Sequence, residues 1–288
     1  MLKFIQGALV ANAASMGFNW IYNMPYLERL SQTESLIFQK PNPDQYKRAG
    51  KSYYVYPRAE IGDVSIQGEV LKWLYKEVLL DNNLSRETYK KLIYNHIKPG
   101  GSYEGYVESY GKKLVFNSII DELNLDLEKQ TYHDDQLVSF MPYLVCKELD
   151  LPLDKAWDLA QAFTDIEYYK AFFNVFDQLI ANLSHMNMTE SVDHILPLVP
   201  QNFQASIELA IKMNDTKKFI INHAGIDCHI HHALPLIFHI LTHTASYEEA
   251  VKLNVKLGGA SCDRGLLIGA IYSQISEIPN EWKQKVNL

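Results

Sequence analysis

Cysteine is scarce. Three residues, Cys146, Cys228 and Cys262, serve a chain of 288. They are widely separated, odd in number and lack CxxC spacing, which points to reduced thiols in a cytoplasmic setting rather than a disulfide framework or a cysteine zinc site. Long apolar runs are also missing: none approaches the roughly 18 residues of a membrane helix, so no membrane partner is expected. Long runs of Lys or Arg are absent and the formal charge is −7, which excludes nucleic-acid binding through a basic surface. Strand-type alternation is rare, and no internal repeat or low-complexity tract is evident.

Helices and brief turns are what remain. Their pattern predicts an all-α fold in a single domain over residues 1–288. Residues 4–17 follow Lys3 and contain Ala11-Asn12-Ala13, the outline of a signal peptide. Gln6 and Asn12 interrupt the apolar stretch and the basic region is a single lysine, so the segment reads as a buried first helix with a small-residue face. Residues 41–56 are polar and tyrosine-rich and read as a turn and loop. A helix follows with Val70, Leu71, Leu74, Val78 and Leu79 on its buried face. Further helices are expected over 85–96, 137–149, 153–183 with a break near Phe163-Thr164-Asp165, and from 203.

The chemistry-bearing tracts sit at the joints. Gly258-Gly259-Ala260-Ser261-Cys262-Asp263-Arg264 is a glycine turn feeding an apolar helix. Ser261 or Asp263 is placed to cap that helix, and its first-turn N–H groups form a potential phosphate or carboxylate site. His133-Asp134-Asp135-Gln136 precedes another helix; the carboxylates serve either as caps or as part of a site. Tyr103 and Tyr106 lie in the broken tract after Lys98, where they either pack or stack on a ligand ring. Cys228-His229-Ile230-His231-His232, with His239 and His243, suggests zinc, but no Glu follows His239 and the HExxH pattern is absent.

Several of these tracts resemble ADP-ribosylglycohydrolases, and in particular the branch that includes the J-crystallins of eye lens. Gly7-Ala8-Leu9-Val10, Trp20-Ile21-Tyr22, Gly62-Asp63 with Ser65, Asp134 with Gln136, Cys228-His229, and Gly258-Gly259 with Cys262, Arg264, Ile268, Gly269 and Ala270 match the family's motifs. The resemblance runs from Gly7 to about Ser273. It implies a compact multi-helix bundle and hydrolysis of the glycosidic bond of an ADP-ribosyl conjugate, usually with two magnesium or manganese ions.

Departures from the pattern thin the metal chemistry. Ala260 stands where the family places a metal-binding aspartate, and Asn12, Asn19 and Asn23 replace Asp, His and Asp. The resemblance leaves Asp63, Glu69 and Asp263 as metal oxygens, enough for one magnesium or manganese ion or none rather than two. Glu69 or Asp135 is then the general base. Asn12, Asn19, Tyr103, Tyr106, Asp134, Gln136, His229 and Ser261 line the substrate site, with Ser261 and its helix N-terminus on a phosphate. His239 is expected to be a hydrogen-bonded core residue. The alternative is a cleft retained without catalysis, in a nucleotide-sugar-binding or structural, crystallin-like protein.

Overall fold

In the computed structural model, which describes residues 3–286, the chain is helix and turn. It runs α1 (Lys3–Ser15), α2 (Met24–Leu30), α3 (Pro43–Ala49), α4 (Ile66–Leu80), α5 (Arg86–Ile97), α6 (Ser109–Leu123), α7 (Met141–Glu148) and α8 (Leu153–Ala160). It continues through α9 (Tyr168–Asn182), α10 (Met188–Ile195), α11 (Gln201–Lys212), α12 (Thr216–His223), α13 (Ile230–Thr242), α14 (Tyr247–Leu257), α15 (Ser261–Tyr272) and α16 (Asn280–Lys283). Among the described residues no strand forms; isolated bridges join Ile21 to Ser52, Ile21 to Gly259, and Gln136 to His229. No helix among them is long and apolar enough to cross a membrane.

The centre of the fold is the crossing of α1 and α15. Every residue of α15 is buried, and most of α1 is buried, as expected of helices apolar on all sides. Small residues repeat every fourth position along both: Gly7, Ala11 and Ser15 on α1, and Gly265 and Gly269 on α15 with Ser273 capping its C-terminus. The backbones nearly touch there. A Cβ on Gly269 would stand 2.2 Å from the Gly7 carbonyl oxygen, and one on Gly7 would stand 2.4 Å from that of Gly269. The Tyr247 hydroxyl donates to the Gly7 carbonyl at 2.6 Å. A continuous apolar cluster extends around the pair, from Ile5 to Val286.

The expected breaks and helices are present, with three differences. Residues 43–49 form α3 rather than loop, because Asn42 accepts from the Asp44 N–H at 2.9 Å and Pro43 occupies the first turn, where proline is tolerated. Leu79 is 55 % exposed; α4 turns it away from the buried stripe of Val70, Leu71, Leu74 and Val78. The expected helix over 137–149 opens with a 3-10 turn, Leu137–Phe140, and becomes α7 at Met141. His239 is the predicted core histidine. Its Nδ1 meets the Ala210 carbonyl at 2.9 Å and its Nε2 the Thr216 hydroxyl at 2.9 Å. Burial holds its pKa down to about 4.

Candidate active site

The turn into α15 needs glycine. Gly258 and Gly259 have φ of 75° and 64°, and a Cβ on Gly259 would lie 1.8 Å from the Ile226 carbonyl oxygen. The helix starts at Ser261 with Ala260 as its N-cap, and no side chain of its own caps it. Neither Ser261 nor Asp263 fills that role. The cap comes from across the fold: Asn19 Oδ1 accepts from the Cys262 N–H at 3.0 Å. The Ser261 N–H already donates to the Gly259 carbonyl at 2.8 Å. Two of the N–H groups expected to face a phosphate are thus bound within the protein.

Asn12 reaches the same turn. Its Nδ2 donates to the Ser65 hydroxyl at 2.8 Å and the Cys262 carbonyl at 3.0 Å, while its Oδ1 accepts from the Ser65 N–H at 2.8 Å. Arg264 is fully buried. It donates to Asn254 Oδ1 at 3.1 Å, the Ile226 carbonyl at 2.9 Å and the Gly258 carbonyl at 2.5 Å. One guanidinium thereby fixes the α14 end, the glycine turn and the 224–229 loop. Burial lowers the Arg264 pKa to about 10, against the opposing charges of Asp263, Tyr22, Asp227 and Cys262.

Asp263 is the contrast. It is 1 % exposed, yet neither carboxyl oxygen has a hydrogen-bond partner. Its neighbour is Glu108, the residue just before α6, 3 % exposed. Gln67 Nε2 reaches a Glu108 oxygen at 3.4 Å. Gln67 Oε1, the Tyr110 hydroxyl and the Ser261 hydroxyl are also buried without partners. Buried polar atoms are normally paired, so such a concentration marks a place built for something other than stability. Burial pushes Glu108 well above the usual carboxylate range, and the Asp263 and Asp134 charges add to it against the weaker pull of Gln67 and Lys112. Burial also raises Asp263, with the Arg264 charge opposing. Both carboxyls are therefore pushed toward the protonated form, and the Arg264 charge opposes the rise at Asp263.

The Asp134 tract joins this centre. Gln136 Nε2 donates to the Ser109 hydroxyl at 2.7 Å, next to Glu108, and Gln136 pairs with His229 in a bridge. Asp135 Oδ2 and His229 Nδ1 are 2.7 Å apart. Burial lowers His229, but the Asp135 hydrogen bond and the charges of Asp135, Asp227 and Asp134 outweigh it and raise the ring's pKa. Asp134 is buried and accepts from the Gln136 N–H at 2.9 Å. Burial raises it to about 6, with that hydrogen bond opposing. Neither aspartate caps the following turn, whose N-cap is Gln136.

A cavity of about 680 Å³ gathers four more of the predicted residues: Asp63, Glu69, Tyr103 and Tyr106. Tyr56 and Tyr103 line it, and both phenols are raised first by burial and then by the Glu108 charge. Glu108 and Asp263 themselves do not line the cavity. The loop of residues 98–107 is its wall. Tyr103 meets Trp73 edge-on at 5.7 Å, and Tyr106 meets Trp20 at 5.3 Å. A groove of about 620 Å³, lined by Val107, Val115, Phe116 and Ile119, lies against the loop's other side.

The expected metal oxygens do not converge. Asp63 is exposed and accepts from the Glu60 N–H at 2.8 Å. Glu69 pairs with Lys72 at 3.2 Å. Asp263 is buried, whereas Asp63 is exposed and Glu69 half-buried. Among the described residues no three His, Cys, Asp or Glu side chains group as an ion would require, and the side chain at 260 is a methyl group. The donor set does not fit the magnesium or manganese centre that the resemblance implies.

Glu108 was missed by the sequence reading. The available signal was its position: it occupies an N-cap site without capping, directly before Ser109, a residue type preferred there. No family model matches this chain, and no curated protein matches it. A solved structure described as an ADP-ribosylglycohydrolase-related protein complex shares its fold at a TM-score of 0.66, covering 100 % of this chain and 92 % of that one at 13 % identity. The likeness is one of fold, and the chain has the all-α, ADP-ribosylglycohydrolase-like architecture.

Proposed function

We propose that the protein is a divergent glycosyl hydrolase that cleaves the glycosidic bond of an ADP-ribosyl conjugate, with Glu108 and Asp263 as its acid–base pair. The observation that carries this reading is the pair of unpartnered oxygens on a fully buried Asp263 beside a buried Glu108 whose pKa burial raises. Paired carboxyl groups with separated proton affinities are what glycosidic cleavage uses. Glu108 in its protonated form donates to the leaving group, and Asp263 in its ionised form, which the Arg264 charge favours against burial, stabilises the ribosyl cation or orients water. In this arrangement Tyr103 and Tyr106 wall the ligand, and Asp63 and Glu69 line its outer face. Asp134, Asp135, Gln136 and His229 form the opposite edge, with Asp135 and Glu69 as the alternative bases. Asn12, Asn19 and Ser261 hold the frame behind the pair.

A second reading is binding without hydrolysis, and one observation favours it: the side-chain oxygens of Asn12 and Asn19 each accept a backbone N–H and so hold the fold, and as neutral amides neither can take up or release a proton. Calorimetric titration with ADP-ribose and chromatographic assay of ADP-ribose release from conjugates separate the two. Binding with release, and a Glu108→Gln variant that releases about 10²–10⁴-fold more slowly, is the expected result. Release should also decline at alkaline pH, as Glu108 loses its proton. Binding without release leaves only the second reading, and no binding removes both.

A further inference from the structure

The disagreement between the donor set and a metal centre has a structural counterpart. Three elements meet where α15 begins: α1 through Asn12, the residue before α4 through Ser65, and α15 through Cys262. Asn12 satisfies both of its donors and its acceptor at this meeting point. Cys262 is gripped on both backbone groups, its N–H by Asn19 Oδ1 and its carbonyl by Asn12 Nδ2. Its thiol sits 3.5 Å from the Asn12 carbonyl. Asn12, Ser65 and Cys262 are fully buried, and Asn19 nearly so.

A carboxylate at position 12 could not make this junction. It accepts but cannot donate, so the Ser65 hydroxyl would have to turn and donate to it, and the Cys262 carbonyl would lose its partner and face a buried negative charge. An amide does the reverse: it joins a carbonyl and an N–H directly, with no cation between them. We propose that Asn12 and Asn19 form a neutral clasp that closes the α1–α4–α15 junction without a divalent ion, and that the folded protein neither requires nor gains from magnesium or manganese. The proposal does not rest on the hydrolase reading, since a protein that binds nothing in the cavity would still have the clasp.

The test is thermal unfolding of the full chain after EDTA treatment, with and without magnesium or manganese, paired with calorimetric titration of manganese alone. The expected result is an unchanged Tm and no binding heat. Asn12→Asp should lower Tm by about 5–10 °C, and manganese should not restore it. Should Asn12→Asp fail to fold, Ser65→Ala reads the same contact with a smaller drop, again indifferent to manganese. A manganese-dependent rise in the wild-type Tm, or saturable manganese binding, overturns the proposal, and loss of that binding in Glu108→Gln would assign the ion to the carboxyl pair. Recovery of Asn12→Asp by manganese overturns it as well, as would an Asn12→Asp or Ser65→Ala variant with wild-type Tm.

Discussion

Cys262 and Asp263 are consecutive residues in the first turn of one helix, both buried, and their surroundings are opposite. Around Cys262 the backbone groups are taken by amides from α1 and from the segment just after it, and Arg264 beyond it satisfies three acceptors. Around Asp263, five side-chain atoms on four residues are buried with nothing to bind: both Asp263 oxygens, Gln67 Oε1, and the hydroxyls of Tyr110 and Ser261. A satisfied polar junction rigidifies a fold, whereas an unsatisfied one lowers its stability. The helix N-terminus therefore has a supporting side and a working side. The strain of the second is held by the first.

That contrast predicts substitutions of opposite sign. The largest effect belongs to the supporting side. Arg264→Met leaves the Asn254, Ile226 and Gly258 oxygens without a donor and Asp263 without a nearby cation, and should cost about 3–5 kcal/mol in urea unfolding. Arg264→Lys should recover only part of this, because an ammonium cannot span the three acceptors. Equal stability of Arg264→Met and wild type would remove the distinction between the two sides.

On the working side the sign reverses. Asp134 takes up its proton more readily when folded, its pKa raised to about 6 by burial against an ordinary 3.8. The folded state then binds more protons than the unfolded one between those values, so the Asp134 contribution to stability is fully present below pH 3.8 and is lost as pH rises through 6. Asp134→Asn keeps an acceptor for the Gln136 N–H and removes the titration. It should gain about 1–3 kcal/mol at pH 8, with the gain gone by pH 3.5. A variant less stable than wild type at pH 8 would place Asp134 with the supporting residues instead.

The smallest change is at the cap. Asn19→Ala removes the acceptor for the Cys262 N–H and should cost about 1 kcal/mol. A loss as large as that of Arg264→Met would mean that Asn19 holds more than the helix start.

The sequence carried the fold well. The small-residue face of α1, the scarcity of strand-type alternation and the matched terminal tracts all pointed to a helical bundle, and such patterns are local enough to be read along the chain. Of the candidate residues, Asp134 to Gln136 and His229 are brought together, and Asp63, Glu69, Tyr103 and Tyr106 share a cavity. What could not be read was the buried position of Glu108. Glu108 gains its meaning from Asp263 and Gln67, which approach it only after the fold brings α4, α6 and α15 together, and no spacing in the chain encodes that. The capping of α15 was hidden for the same reason: Ser261 and Asp263 were the local candidates, and Asn19 took the role from a distant segment.

The loop of residues 98–107 borders two open volumes, about 680 Å³ beside Asp63, Glu69 and Trp73 and about 620 Å³ beside Val115, Phe116 and Ile119 of α6. Tyr103, Glu104 and Gly105 line both spaces, so a substitution at any of them alters the two together. Trp73, stacked on His96 and edge-on to Tyr103, sits against this loop. Its emission is a built-in optical gauge of such a change.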